Sequence, residues 1–191
     1  LARRRSQDPQ LEARVQSFEL AYRMQMDATD AFDVMKEPQH VRDMYGPGTQ
    51  ARQMMIARRH LERGVRFVQV WTGREQPWDN HTSIHGAISK LAKDSDQALG
   101  ALIRDLKQRG MLDDTLVIWG GEFGRTPMGQ APHPNDPNNF QGRDHHPNAY
   151  TIWLAGGGIK GGHTIGETDE LGFHITKDRI HVHDLQATIL H

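Results

Sequence analysis

Apolar positions recur along this chain in two distinct rhythms, and the alternation between them predicts its elements. Between residues 8 and 35, Leu11, Val15, Phe18, Leu20, Ala21, Met24 and Met26 fall at roughly helical spacing, which predicts a helix packed on something larger. Glu37-Pro38 and Tyr45-Gly46-Pro47-Gly48 then read as loop by their Pro and Gly content. A second helix is expected over Thr49 to Glu62, with Gly64 as its stop. It gives way to Val65-Arg66-Phe67-Val68-Gln69-Val70-Trp71, whose β-branched and aromatic residues predict a strand.

The third helix is the clearest, from Ile84 to Gln108, with Ile88, Leu91, Leu99, Leu102, Ile103 and Leu106 on one side and Gly110 as the stop. Thr115 to Trp119 follows as a short apolar run, predicted to be a buried strand. A Pro-, Asn-, Gly- and His-rich loop spans residues 128 to 149, and Tyr150 to Ala155 is a further strand. The glycine run from Gly156 to Gly162 lacks the order of a phosphate-binding loop and reads as a turn. Asp184 to Leu190 reads as a last helix. Helices alternating with apolar strands imply an α/β fold with a mostly parallel sheet flanked by helices. Sites in such sheets form at the carboxyl ends of the strands, after Trp71, after Trp119 and near the 156 glycines.

Composition narrows the chemistry. The 191 residues suit one domain of ordinary size. The 23 basic and 24 acidic residues leave a net charge of −1, which gives nucleic acid or an anionic membrane no electrostatic hold. No apolar run is long enough to span a membrane. With no cysteine, thiolate metal sites and a Cys nucleophile are excluded, which leaves His, Asp and Glu as the strong metal ligands. Twelve histidines are present, most of them from His81 onward. The chain starts at Leu1 and ends inside a predicted helix, which suggests a fragment; the Arg3-Arg4-Arg5 run has no apolar core after it and reads as a solvated helix end, not an export signal.

Three motifs stand where chemistry is expected. In Trp78-Asp79-Asn80-His81, with His85 four residues on, a carboxylate and an imidazole two apart can turn toward one divalent ion. The same pattern also suits a helix-capping Asp79 and a surface His81. In Gly121-Glu122-Phe123-Gly124-Arg125-Thr126-Pro127, glycines let the Glu122 carboxylate approach a ligand closely. Arg125 there offers a fork either for an anion or for an ion pair with Glu122. In Gly142-Arg143-Asp144-His145-His146-Pro147, adjacent side chains cannot all face one point, so at most two of Asp144, His145 and His146 share an ion, and one of them can act from behind a ligand.

Together with Glu19-Leu-Ala-Tyr-Arg-Met-Gln25, Gly64-Val-Arg-Phe-Val-Gln-Val70 and Gly166-Glu-Thr-Asp169, these motifs resemble the bacterial domain-of-unknown-function family 1501 over nearly the whole chain. The resemblance implies the C-terminal part of a longer, exported protein, periplasmic or secreted, built as a single domain of the alkaline phosphatase and sulfatase type and incomplete at its N-terminal side over residues 1–191. It implies a metal-dependent hydrolase of phosphate or sulfate esters, on a small-molecule or glycan substrate, with Zn, Mn or Ca as cofactor. Asp79, His81, Glu122 and His145 or His146 would be the metal ligands, and Arg125 the anion-binding residue. Phe123 stands where that superfamily has His or Asn, and its nucleophile and first metal-binding Asp lie outside this chain, so the fragment is expected to be catalytically incomplete. The rival expectation is a non-catalytic protein that keeps the fold and binds a metal or an anionic glycan.

Overall fold

The computed structural model describes residues 9–130 and 142–191. The Arg3-Arg4-Arg5 run and residues 131–141 of the long loop lie outside the described residues. The chain divides into two compact units, residues 1–71 and 72–191.

The first unit is helical. Helix α1 covers Pro9–Ala28 and is followed by 3-10 turns at Thr29–Phe32 and Val34–Lys36, so the helix expected over residues 8–35 ends early. Asp33 explains the second turn, since its carboxylate accepts the Met35 N–H at 3.2 Å, the local bond that favours Asp at turn starts. Helix α2 (Gln39–Tyr45) forms where a loop was expected. Pro38 stands just ahead of its first residue, where a missing N–H costs nothing. Helix α3 spans Thr49–Glu62, as its periodicity predicts, and packs on α2. Val41, Tyr45, Ala51, Met54, Met55 and Ala57 are all buried.

The same core holds three charges. Glu37 lies between the guanidinium groups of Arg58 and Arg59, with Oε2 2.8 Å from Arg58 Nη2 and Oε1 hydrogen-bonded to Arg59. Arg59 also donates to the Ala31 carbonyl at 3.1 Å, tying α3 to the first 3-10 turn. Burial works to raise the Glu37 pKa, but the bonds from both arginines outweigh it and hold the carboxyl below its usual range. Residues 65–71 form no strand. Their β-branched pattern finds no pairing partner among the described residues, and Phe67 and Trp71 stay exposed.

In the second unit, helix α4 runs over Ile84–Gln108, the span its apolar spacing predicts. Its C-terminal half carries the buried Ala98, Ala101, Leu102 and Leu106. Strand β1 (Val117–Trp119) follows, then β2 (Gly124–Arg125), β3 (His145–His146), β4 (Trp153–Ala155), β5 (Glu167–Thr168) and β6 (Ile175–Lys177), with helix α5 (Val182–Leu190) last.

The sheet differs from the expectation. The strands form three two-stranded antiparallel ribbons, β1 with β4, β2 with β3 and β5 with β6, and neither a parallel sheet nor an alkaline phosphatase fold is seen among the described residues. Spacing cannot distinguish the two arrangements, because β1 and β4 are each apolar runs whichever way they pair. Nor is β1 buried: with one neighbouring strand it keeps an open edge, and Ile118 and Trp119 are 41% and 45% exposed. Gly156 and Gly157 do form the expected turn, both with positive φ. A Cβ at Gly156 would lie 2.3 Å from the Thr115 carbonyl oxygen, so the turn needs glycine to close against the approach to β1.

Beyond β4, Asp169 organises the β5–β6 connection. It accepts backbone N–H groups of Phe173, Leu171 and His174, and these bonds, the one from Phe173 foremost, hold its carboxyl below the usual range. His181 caps α5 by accepting the His183 N–H at 3.2 Å while Asp184 accepts the His181 N–H at 2.7 Å. Asp169 and the His181/His183 pair thus serve local structure, the first closing a turn and the second starting a helix. No described helix is long and apolar enough to cross a membrane.

Candidate metal centre

The site is assembled from three stretches of the second unit. The first is the turn at residues 76–81. The Asn80 side chain donates to the Pro77 carbonyl at 2.9 Å and the Trp78 indole N–H to the Thr72 carbonyl at 2.8 Å, so the short-range preferences of Pro and Asn fix where Asp79 stands. The second and third stretches are paired by β2 and β3, which set Arg125 opposite His145 and Gly124 opposite His146. The pairing is extended by Thr126 N–H to the Asp144 carbonyl at 2.9 Å, and by Arg143 Nη1 to the carbonyls of Thr126 and Pro127 at 2.8 and 2.6 Å.

Gly142 joins the turn to this ribbon. A Cβ there would lie 1.7 Å from the His81 carbonyl oxygen, so only glycine allows the two backbones to touch. The neighbouring Arg143 N–H donates to the Asn80 carbonyl at 3.3 Å.

Three groups converge on one oxygen. Asp79 Oδ1 lies 3.0 Å from His81 Nε2, 3.1 Å from His145 Nε2 and 2.5 Å from Arg125 Nη2. Asp79, His81 and His145 each offer a ligand atom, and these atoms lie within 4.8 Å of one another, the one such group among the described residues. The imidazole rings lean together, centroids 5.2 Å apart and 30° from parallel. Arg125, through its hydrogen bond, is the foremost reason that the Asp79 carboxyl sits below the usual range; desolvation opposes it, and the charges of Arg125, His81 and His145 add to it.

The remaining candidates fall around this triad. Glu122 Oε1 is 3.8 Å from His145 Nδ1, on the ring edge away from Asp79, and its side chain is 70% exposed. Phe123 meets the His145 ring edge-on at 5.8 Å. His146 is turned away. Successive strand residues face opposite sides, so with His145 toward Asp79 its neighbour packs against Phe173, buried and with Nε2 unpartnered. Arg125 spends its donors on the protein, Nη1 on the Arg143 carbonyl at 3.2 Å and Nη2 on Asp79 and the Trp78 carbonyl. Its ion-pair partner is therefore Asp79 and not Glu122.

The family model described as "Protein of unknown function (DUF1501)" matches residues 1–191. The chain belongs to that family. No curated protein and no solved structure matches the DUF1501 chain. Sequence reasoning missed one neighbour of its triad. Gln130 Oε1 lies 2.8 Å from His81 Nδ1, and nothing marked a neutral amide in a loop as important. The Gly142-Arg143 pair carried no signal of its own beside the histidines that follow it. In the folded DUF1501 chain it brings the two loops into register.

Proposed function

We propose that this DUF1501 chain holds one divalent cation between Asp79, His81 and His145 and serves a metal-dependent hydrolase of phosphate or sulfate esters. The observation that supports this is the convergence of one carboxylate oxygen and two imidazole Nε2 atoms. Two nitrogens and one oxygen suit Zn²⁺ or Mn²⁺ better than Ca²⁺, which takes oxygen ligands. Three protein donors leave a coordination position open, the arrangement of catalytic and not of closed structural sites. When bound, such an ion supplies Lewis-acid stabilisation of the charge that builds on ester oxygens.

The chain's own residues do the rest in this reading. Arg125 orients Asp79 and keeps it ionised, and in this reading an anionic ester would meet the guanidinium only beside its pairing with Asp79. Glu122, 3.8 Å from Nδ1 at the outer edge of the His145 ring, places a negative charge beside that imidazole without hydrogen-bonding to it. The likeness of the motifs to alkaline phosphatases and sulfatases, and a periplasmic or secreted location, belong to the same proposal.

Phe123, packed on His145 in a position where a ligand would be expected, favours a second reading in which the cation or an anionic glycan is bound without turnover. Calorimetric titration of the chain with Zn²⁺ and Mn²⁺, followed by assays of the gene product that carries it on aryl phosphate and sulfate esters, separates the two. Binding of one ion per chain with chelator-sensitive turnover is expected. Binding without turnover selects the second reading, and failure of both metals to bind removes the metal centre.

A further inference from the structure

The contact between Gln130 and His81 constrains more than the position of a ring. Gln130 faces His81 Nδ1 with its amide oxygen, Oε1, at 2.8 Å, and because an amide oxygen only accepts, this orientation puts the hydrogen on Nδ1. A neutral imidazole carries one such hydrogen. Nε2 then holds a lone pair, and Nε2 is the atom 3.0 Å from Asp79 Oδ1. Two lone pairs facing each other at that distance repel unless a cation lies between them. Left to Asp79 alone, the ring would take the other tautomer, with its hydrogen on Nε2 donating to the carboxylate and filling the space where the cation belongs.

We propose that Gln130 is a positioning residue that fixes His81 as the Nδ1–H tautomer and so reserves the Nε2 lone pair for a divalent cation. The inference rests on the metal reading above, yet it concerns a property that the metal-free chain displays by itself. Gln130 is held for the task by its own backbone, whose N–H donates to the Gly142 carbonyl at 2.9 Å, in the same Gly142 segment that touches His81. His145 provides an internal comparison. Its Nδ1 faces Glu122 at 3.8 Å, too far for a hydrogen bond, so no equivalent partner dictates its tautomer.

Long-range ¹H–¹⁵N NMR of the metal-free, ¹⁵N-labelled chain at about pH 9, where ordinary imidazoles are neutral, reads the tautomers directly. The expected result is His81 mainly as Nδ1–H in the wild type, mainly as Nε2–H in Gln130→Leu, and again as Nδ1–H in Gln130→Glu, whose carboxylate also accepts. Zn²⁺ affinity should fall roughly 10–100-fold in Gln130→Leu and recover in Gln130→Glu. Should the leucine variant fail to fold, Gln130→Met keeps the side-chain length without the acceptor. Nε2–H in the wild type, or a tautomer unchanged when the acceptor is removed, overturns the inference. A tautomer that switches as expected in a chain that binds neither Zn²⁺ nor Mn²⁺ sustains it and removes the metal reading instead.

Discussion

Asp79 Oδ1 receives Arg125, His81 and His145 together, so the carboxylate charge is the feature that all three share. Asp79→Asn keeps the shape and removes the charge, and should weaken Zn²⁺ binding by more than any change at Glu122, as measured by competition calorimetry. Gly142→Ala tests the backbone instead. Its methyl would collide with the His81 carbonyl, so a loss of about 1–3 kcal/mol in denaturant unfolding is expected together with weaker metal binding. At Glu37 the prediction is one of pH. Its folded pKa is depressed below the ordinary 4.5, so its contribution is complete above that value and is lost as pH falls through the folded pKa. Glu37→Gln leaves Arg58 and Arg59 buried without their shared carboxylate and should cost about 3–5 kcal/mol near neutral pH, with an acid limb flatter than that of the wild type. Asp79, His81 and His145 were legible as single candidates, the first two as a carboxylate and an imidazole two apart and the third as a histidine between Gly142 and Pro147. That His145 and not His146 faces Asp79 was not legible, since it depends on the face each takes in a two-residue strand. Gln130 was illegible altogether: its role comes from a partner 49 positions away.

Among the elements, α4 was readable to its ends because a long amphipathic helix carries its own signal in apolar spacing and a glycine stop. Leu106 is fully buried on it, and Leu106→Ala should destabilise the second unit by about 2–5 kcal/mol in chemical denaturation. Strands gave less, because a strand is defined by its neighbour. The 65–71 run has strong β propensity and no ladder, while β2 and β3 have two residues each and almost no propensity signal, yet pair to align Arg125 with His145. Helix α2 was hidden by Pro38, a residue that ends helices and equally begins them. Antiparallel pairing of β1 and β4 depends on which strand edges meet, which a pattern of apolar residues does not record.

At the scale of the whole molecule, the chain forms two compact units, and every member of the triad belongs to residues 72–191. A cation that binds only the folded form stabilises it by about 2.7 kcal/mol at a free concentration one hundred times Kd. Hydrogen exchange with saturating Zn²⁺ should therefore slow at the 76–81 turn and at β2 and β3, and chelation should restore the metal-free pattern. The Arg125–Asp79 pair, whose members are 46 positions apart, carries a further consequence for kinetics. Contacts across such separations form only after the intervening chain has been gathered in, so the assembled triad belongs on the native side of the folding barrier. Added Zn²⁺ should then slow unfolding and leave the refolding rate almost unchanged in stopped-flow experiments, which would make the ion a latch that closes last and must open first.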